Sequence, residues 1–206
     1  MRQNWVRLLA IGLAGLGAGL LAILQHANAA QGPQAAPTRL IDVNRSSVTV
    51  HVYKSGLFSA FAHNHTVRAP IRQGNIRLGG VAAVDLEFDS REMKVQDPEA
   101  SAKERDEVQR TMLGPEVLDS AQYPEIRFRS TRVEQTAPGK WQASGELTLH
   151  GKTNPIVVEV SEQSGHYAGK ARIKQTEFGI TPIRIAGGTV KVKDEVVVEF
   201  EVVVRE

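Results

Sequence analysis

No cysteine occurs anywhere in the 206 residues. That absence excludes disulfides, thiolate metal centres, a cysteine nucleophile and a lipid-modified cysteine at an export junction. Aromatic residues make up only 5%, so any interior this chain builds is lined mainly by aliphatic side chains. There is no run of Lys or Arg, no phosphate-cradling glycine loop, no dinucleotide fingerprint and no Gly-x-Ser-x-Gly elbow. Nucleic acid requires a basic face or stripe. None is offered, so no nucleic-acid partner is expected.

What is present begins with a tripartite N-terminus. Arg2 and Arg7 supply a short positive region, Leu8 to Leu24 is uncharged and apolar, and Ala27-Asn28-Ala29 places small residues where a signal peptidase reads them. This is the layout of a cleavable secretory signal over residues 1–29. The run would also serve as a retained membrane anchor. The Ala-x-Ala site directly behind it, and glycines that weaken a spanning helix, favour removal. Cleavage takes away two Arg and no acid, so of 25 basic residues 23 remain beside 23 acidic ones. The expectation is a periplasmic protein whose mature form does not span the membrane. Residues 30–37 read as a flexible lead-in and 38–206 as one domain. A domain of about that size buries close to 70% of its unfolded surface, enough to stand without disulfides.

Period-two patterning dominates that domain. Val48, Val50 and Val52 alternate with polar residues, as do Ala82, Val84, Leu86 and Phe88. The same holds for Ile126 and Phe128; for Trp141, Ala143, Leu147 and Leu149; for Ile156, Val158 and Val160; for Ala171 and Ile173; and for Val196, Val198, Phe200, Val202 and Val204. Each is the signature of a half-buried strand. Turn chemistry separates them at Asn44-Arg45-Ser46, Ala137-Pro138-Gly139, Gly151-Lys152-Thr153-Asn154 and Ser164-Gly165, with Gly187-Gly188 before the last strand. Short antiparallel strands at even spacing indicate a closed barrel or a sandwich. Between Pro98 and Leu113 the period changes. Lys103 with Glu107 and Asp106 with Arg110 are spaced for helical pairs of opposite sign, and Gly114-Pro115 stops the run. One helix, about 100–113, is expected between strands.

The segment Leu118 to Thr131 carries Tyr123-Pro124, an apolar residue, Phe128 and Ser130-Thr131 in succession. Gly145 to Gly151 reads Gly-Glu-Leu-Thr-Leu-His-Gly, and Phe178-Gly179-Ile180 follows an acid. Together with Gly56-Leu57-Phe58 after a Ser-Ser-Val strand, these residues resemble the YceI-like family over nearly all of 38–206. The resemblance implies an all-β fold, a lipocalin-like extended antiparallel β-barrel of about eight strands with the one inserted helix. It also implies an often periplasmic protein that binds a polyisoprenoid lipid in its lumen, with no catalysis and no cofactor. The chain departs from the family pattern at Val117-Leu118-Asp119, where many members have Phe-Phe-Asp, and at Gln175-Thr176-Glu177, where many have Arg. These changes bear on which ligand is held more than on the fold.

A barrel of about eight strands has room for side chains or for one small ligand. Strand parity points Val50, Val84, Leu86, Phe88, Ile126, Phe128, Leu147, Leu149, Ile173, Val198, Phe200 and Val202 inward, and a bulge would reverse parity beyond it. The residues alone are equally compatible with faces that simply pack on one another. With the resemblance, an apolar small molecule of isoprenoid or quinone type becomes the expected ligand. Edge strands of a partly open barrel also invite a homodimer.

The sharpest polar feature is His63-Asn64-His65. Residues two apart on a strand share a face, so both imidazoles could bind one metal, with His51, His150, His166 or a carboxylate completing the set. A metal-binding protein or metal-dependent enzyme is therefore the alternative reading. Contact with a ligand head group, or plain polar residues at a barrel mouth, are the others. Ser130 and Thr131 lack an elbow, and the alternating acids Asp85, Glu87 and Asp89, like Glu199 and Glu201, read as wet strand faces.

Overall fold

The computed structural model describes residues 37–55, 64–78, 82–185 and 190–205. The expected signal, nearly all of the lead-in, His63 and the Gly187-Gly188 turn lie outside them. In chain order the elements are β1 (Thr38–Leu40), β2 (Ser47–Ser55), β3 (His65–Arg68), β4 (Ile71–Arg77), β5 (Ala83–Asp89), β6 (Lys94–Val95), α1 (Ala102–Leu113), β7 (Glu125–Ala137), β8 (Lys140–Leu149), β9 (Lys152–Gln163), β10 (His166–Lys174), β11 (Arg184–Ile185) and β12 (Val190–Val203). The long strands β2, β4, β5, β7, β8, β9, β10 and β12 carry the wall, and the remaining four are short.

All strand pairs are antiparallel, in the order β1-β4-β5-β7-β8-β9-β10-β12-β2-β3-β6, with β11 beside β12. The sheet curls until its β1 edge meets β12. The join is an isolated bridge between Ile41 and Val204, flanked by backbone bonds from Arg205 to Leu40 and from Asp42 to Val203, each 2.8 Å. β2, β3 and β6 run on past that seam.

Alternation along the strands gives the wall an apolar inner side and a charged outer side. In β7, Ile126, Phe128 and Ser130 share the inner face. A register shift between Ser130 and Arg132 then brings Val133 inward instead. Buried Ile41, Ile76, Tyr167 and Val202 belong to one core cluster, and Phe128, Ala143, Leu147, Ile173 and Phe178 to a second. At Gly169 in β10 a Cβ would stand 2.1 Å from the Glu159 carbonyl oxygen and 2.7 Å from the Phe200 ring, so only glycine lets β9, β10 and Phe200 pack this closely.

Strands β3 and β4 form a corner at Ala69-Pro70 that the periodicity does not announce. The buried residues of β4, Ile71 and Ile76, stand five apart, and a register shift between Ile71 and Gln73 absorbs the odd step. The helix α1 starts where expected. Ser101 accepts from the Glu104 N–H at 3.3 Å and Glu104 accepts from the Ser101 N–H at 2.8 Å, a capping box. The expected pairs Lys103–Glu107 and Asp106–Arg110 do not close. None of its residues is buried.

Candidate ligand-binding lumen

The barrel interior holds two adjoining apolar cavities, one of about 140 Å³ and one of about 170 Å³. The first is lined by aliphatic and aromatic side chains from Leu78 and Trp141 at one end to Ile173 and Val198 at the other, and presents no polar surface. The second lies nearer α1, and Gln175 supplies the polar side chain in its wall. Val48, Phe88, Leu147, Ile173 and Val198 line both cavities and form the partition between them.

Nine of the twelve residues assigned inward by parity line the first cavity, namely Val84, Leu86, Phe88, Phe128, Leu147, Ile173, Val198, Phe200 and Val202. The other three, Val50, Ile126 and Leu149, line the second. Parity survives because the β7 bulge falls beyond Phe128. Periodicity missed the wall residues contributed by loops and the helix, among them Ile41, Met93, Met112 and Leu118. Burial pushes the Tyr167 phenol above its usual range, with Glu162 adding to the effect. The buried Trp141 indole N–H has no hydrogen-bond partner.

Three of the motif segments meet at the α1 end of the barrel. His150 (φ 51°) and Gly151 (φ 71°) make the β8–β9 turn in left-handed backbone. The Tyr123 ring packs on Gly151, where a Cβ would come within 2.6 Å of it, and meets the His150 ring edge-on at 4.7 Å. His150 Nδ1 lies 3.2 Å from the Phe178 carbonyl oxygen, and the Asn154 side-chain amide donates to the Glu177 carbonyl at 2.9 Å. These bonds hold the 3-10 turn Gln175–Phe178 as a strap across β9 and β12, with the Phe178 side chain 0% exposed. Ser90 ties in the other flank, donating its N–H to the Pro124 carbonyl at 2.8 Å and its hydroxyl to the Tyr123 carbonyl at 3.1 Å. The motif segments therefore build the floor of the barrel, and six of their residues, Leu118, Ile126, Phe128, Leu147, Leu149 and Ile180, also line the lumen.

Beside this floor opens a third cavity of about 470 Å³, between α1, β2, β3 and the start of β12. It shares Val52, Val67, Met112, Val117 and Gln175 with the second cavity, so it is the mouth of the lumen. α1 rests over it through Val108, Thr111 and Met112. The helix is held by polar bonds: the Gln109 amide accepts from the Val95 N–H and donates to the Met93 carbonyl, both at 2.8 Å, and Arg105 donates to the carbonyls of Asp97 and Ala100.

The structure separates the remaining polar candidates. His51 faces outward 3.4 Å from Glu199, without hydrogen-bond geometry; His166 pairs with Glu201 at 3.1 Å; His150 serves the floor. His65 lies in the mouth against Asp97. Among the described residues no group of three or more His, Asp or Glu is placed to hold a metal ion. Asp85 and Glu87 ion-pair with Arg127 at 2.6 and 3.2 Å, and the Arg127 hydrogen bond holds the Asp85 carboxyl below the usual carboxylate range. Ser130 accepts from the Val84 N–H at 2.8 Å and Thr131 donates to the Ser144 carbonyl at 3.3 Å.

Fold and lumen define an antiparallel all-β protein of the lipocalin-like kind. The YceI-like domain model matches residues 40–204, and the chain belongs to that family. A UPF0312 protein of Vibrio cholerae is 33% identical over 73 residues, 31% of this chain and 39% of that relative. One of Pseudomonas savastanoi is 48% identical over 44 residues, 21% of this chain and 23% of that relative. The matched stretch thus spans about two fifths or less of these curated relatives. The crystal structure of Burkholderia cenocepacia BcnA superposes with a TM-score of 0.61 at 18% identity, covering 79% of this chain and 98% of that one, a likeness of fold. No helix among the described residues is long and apolar enough to cross a membrane.

Proposed function

We propose that this protein is exported to the periplasm through residues 1–29 and carries an apolar ligand of isoprenoid or quinone type in its lumen, without catalysing a reaction. The observation that carries this reading is the wall of the two adjoining cavities, which is aliphatic and aromatic except at Gln175. Burying a hydrocarbon tail there yields roughly 0.8 kcal/mol per CH₂ and needs no signature residue. The hydroxyls nearest to a nucleophile, Ser130 and Thr131, are committed to backbone groups, which supports binding without chemistry. A tail longer than the resting cavities requires the partition residues to change rotamer.

The test is native mass spectrometry of protein from a periplasmic extract prepared without detergent. The expected result is an added mass of roughly several hundred daltons, consistent with a tail long enough to gain from the term above, lost on organic extraction. In Ala171→Phe, whose ring would occupy the first cavity, that mass should be absent while the fold persists, since filling a void limits the overpacking cost to about 1–3 kcal/mol. A bare chain mass in the unaltered protein, or full occupancy in Ala171→Phe, would rule the reading out.

A further inference from the structure

The mouth contains one polar pair that the barrel does not need for its wall. In β3 the register pairs His65 with Val52 and Val67 with Val50, so His65 stands on the same inward face as buried Val67. β6 then pairs Val95 with Val67. Continuing that register two residues sets Asp97 opposite His65, and the two side chains meet with Nδ1 2.6 Å from Oδ2. Asp97 is 4% exposed, and its other oxygen accepts from the Thr66 N–H at 2.7 Å. A carboxylate oxygen accepts, so Nδ1 carries a proton, and the ring in its neutral form presents Nε2 as an acceptor. No described side chain bonds that nitrogen. His65 is about a third exposed and lines the mouth cavity, directly above the apolar second cavity that shares Val52 and Val67 with it.

From this geometry we infer that His65, oriented by Asp97, is the head-group site of the lumen and takes an uncharged hydroxyl, accepting its proton in a hydrogen bond at Nε2. The inference rests on the lipid-carrier reading above and specifies the ligand: a hydrocarbon tail ending in an alcohol or phenol. Charge at the mouth disfavours an anionic group. Lys54 and Lys191 stand in its wall together with Asp97, Glu104 and Glu107, so acids outnumber lysines and an anionic head would meet net repulsion. Asp97 acts as a positioning residue, since both of its oxygens are occupied within the protein.

The test uses the full chain and three probes with the same tail, geranylgeraniol, its methyl ether and its monophosphate, with binding read by titration calorimetry. The alcohol should bind about 3- to 10-fold more tightly than the ether, the size of one net hydrogen bond. His65→Leu should abolish that preference and leave ether affinity within about twofold, because tail burial is untouched. His65→Gln should restore part of the preference through its amide oxygen. In the unaltered protein, the ¹⁵N resonance of Nε2 should move on addition of the alcohol and stay on addition of the ether, a readout that does not depend on how well the variants fold. Retention of the preference in folded His65→Leu, an Nε2 resonance indifferent to the alcohol, or tightest binding of the monophosphate would each overturn the inference. Failure of all three probes to bind the unaltered protein would instead overturn the lipid reading on which it rests.

Discussion

Two segments cover the same end of the barrel, and they are held by opposite means. The Gln175–Phe178 strap is locked by a fully buried phenylalanine and by bonds from His150 and Asn154. Helix α1 has no buried residue and is held by the Gln109 amide and the Arg105 guanidinium. Burial makes the strap part of the cooperative core. Polar bonds at a partly wet surface exchange with water at small net cost, so α1 belongs to the low-stability end of the molecule. The strap is part of the folding core, and the helix is the more readily released of the two.

The comparison breaks most readily at Phe178. Phe178→Ala should cost about 3–5 kcal/mol in a urea titration. Val108→Ala, on the half-buried face of α1, should cost well under ~1 kcal/mol by the same measurement, in line with surface sites generally. Equal losses at the two positions would end the distinction. An effect between these two is expected from Gln109→Ala, about 1–2 kcal/mol for the two backbone groups it leaves half-solvated. Its clearer readout is hydrogen exchange: amides of α1 should lose protection while those of β7, β8 and β9 keep theirs. Loss of protection throughout would mean that helix and barrel unfold as one unit.

A further effect concerns acid. Asp89, which leads into the Ser90 turn that ties down the floor, has its carboxyl held below the usual range, first by the side-chain hydrogen bond from Arg91. Its folded value lies below its unfolded value near ~3.9, so its contribution is complete above that unfolded value and is lost as pH falls through the folded one. Asp89→Asn should therefore lower stability at neutral pH and flatten its decline below about pH 4. An unchanged acid limb in the urea midpoint would show that this carboxylate does not tie the floor.

Much of the wall was legible in sequence because a half-buried strand must alternate. Val84, Leu86 and Phe88, or Val198, Phe200 and Val202, have no other way to face one core. The bulge in β7 spared the reading only because it falls after Phe128. The β3–β4 corner was not legible, because the register shift at Ile71 and Gln73 separates the buried Ile71 and Ile76 by an odd step. The motif segments were visible as words without a meaning: nothing local reveals that Tyr123 lies on Gly151 or that His150 reaches Phe178. Likewise His65 stood out, but its partner Asp97 is 32 residues away and is delivered by a two-residue strand that no periodicity can mark.

The seam between Ile41 and Val204 has a mechanical consequence. Around the rest of the ring, hoop tension is shared across strands zipped by many hydrogen bonds; here it passes through one bridge and two flanking bonds. A cylinder stressed from within yields where its circumference is weakest. A bulky guest threading past Phe88 and Leu147 would thus widen the girth by letting β1 peel from β12, while the long strands keep their pitch and spacing.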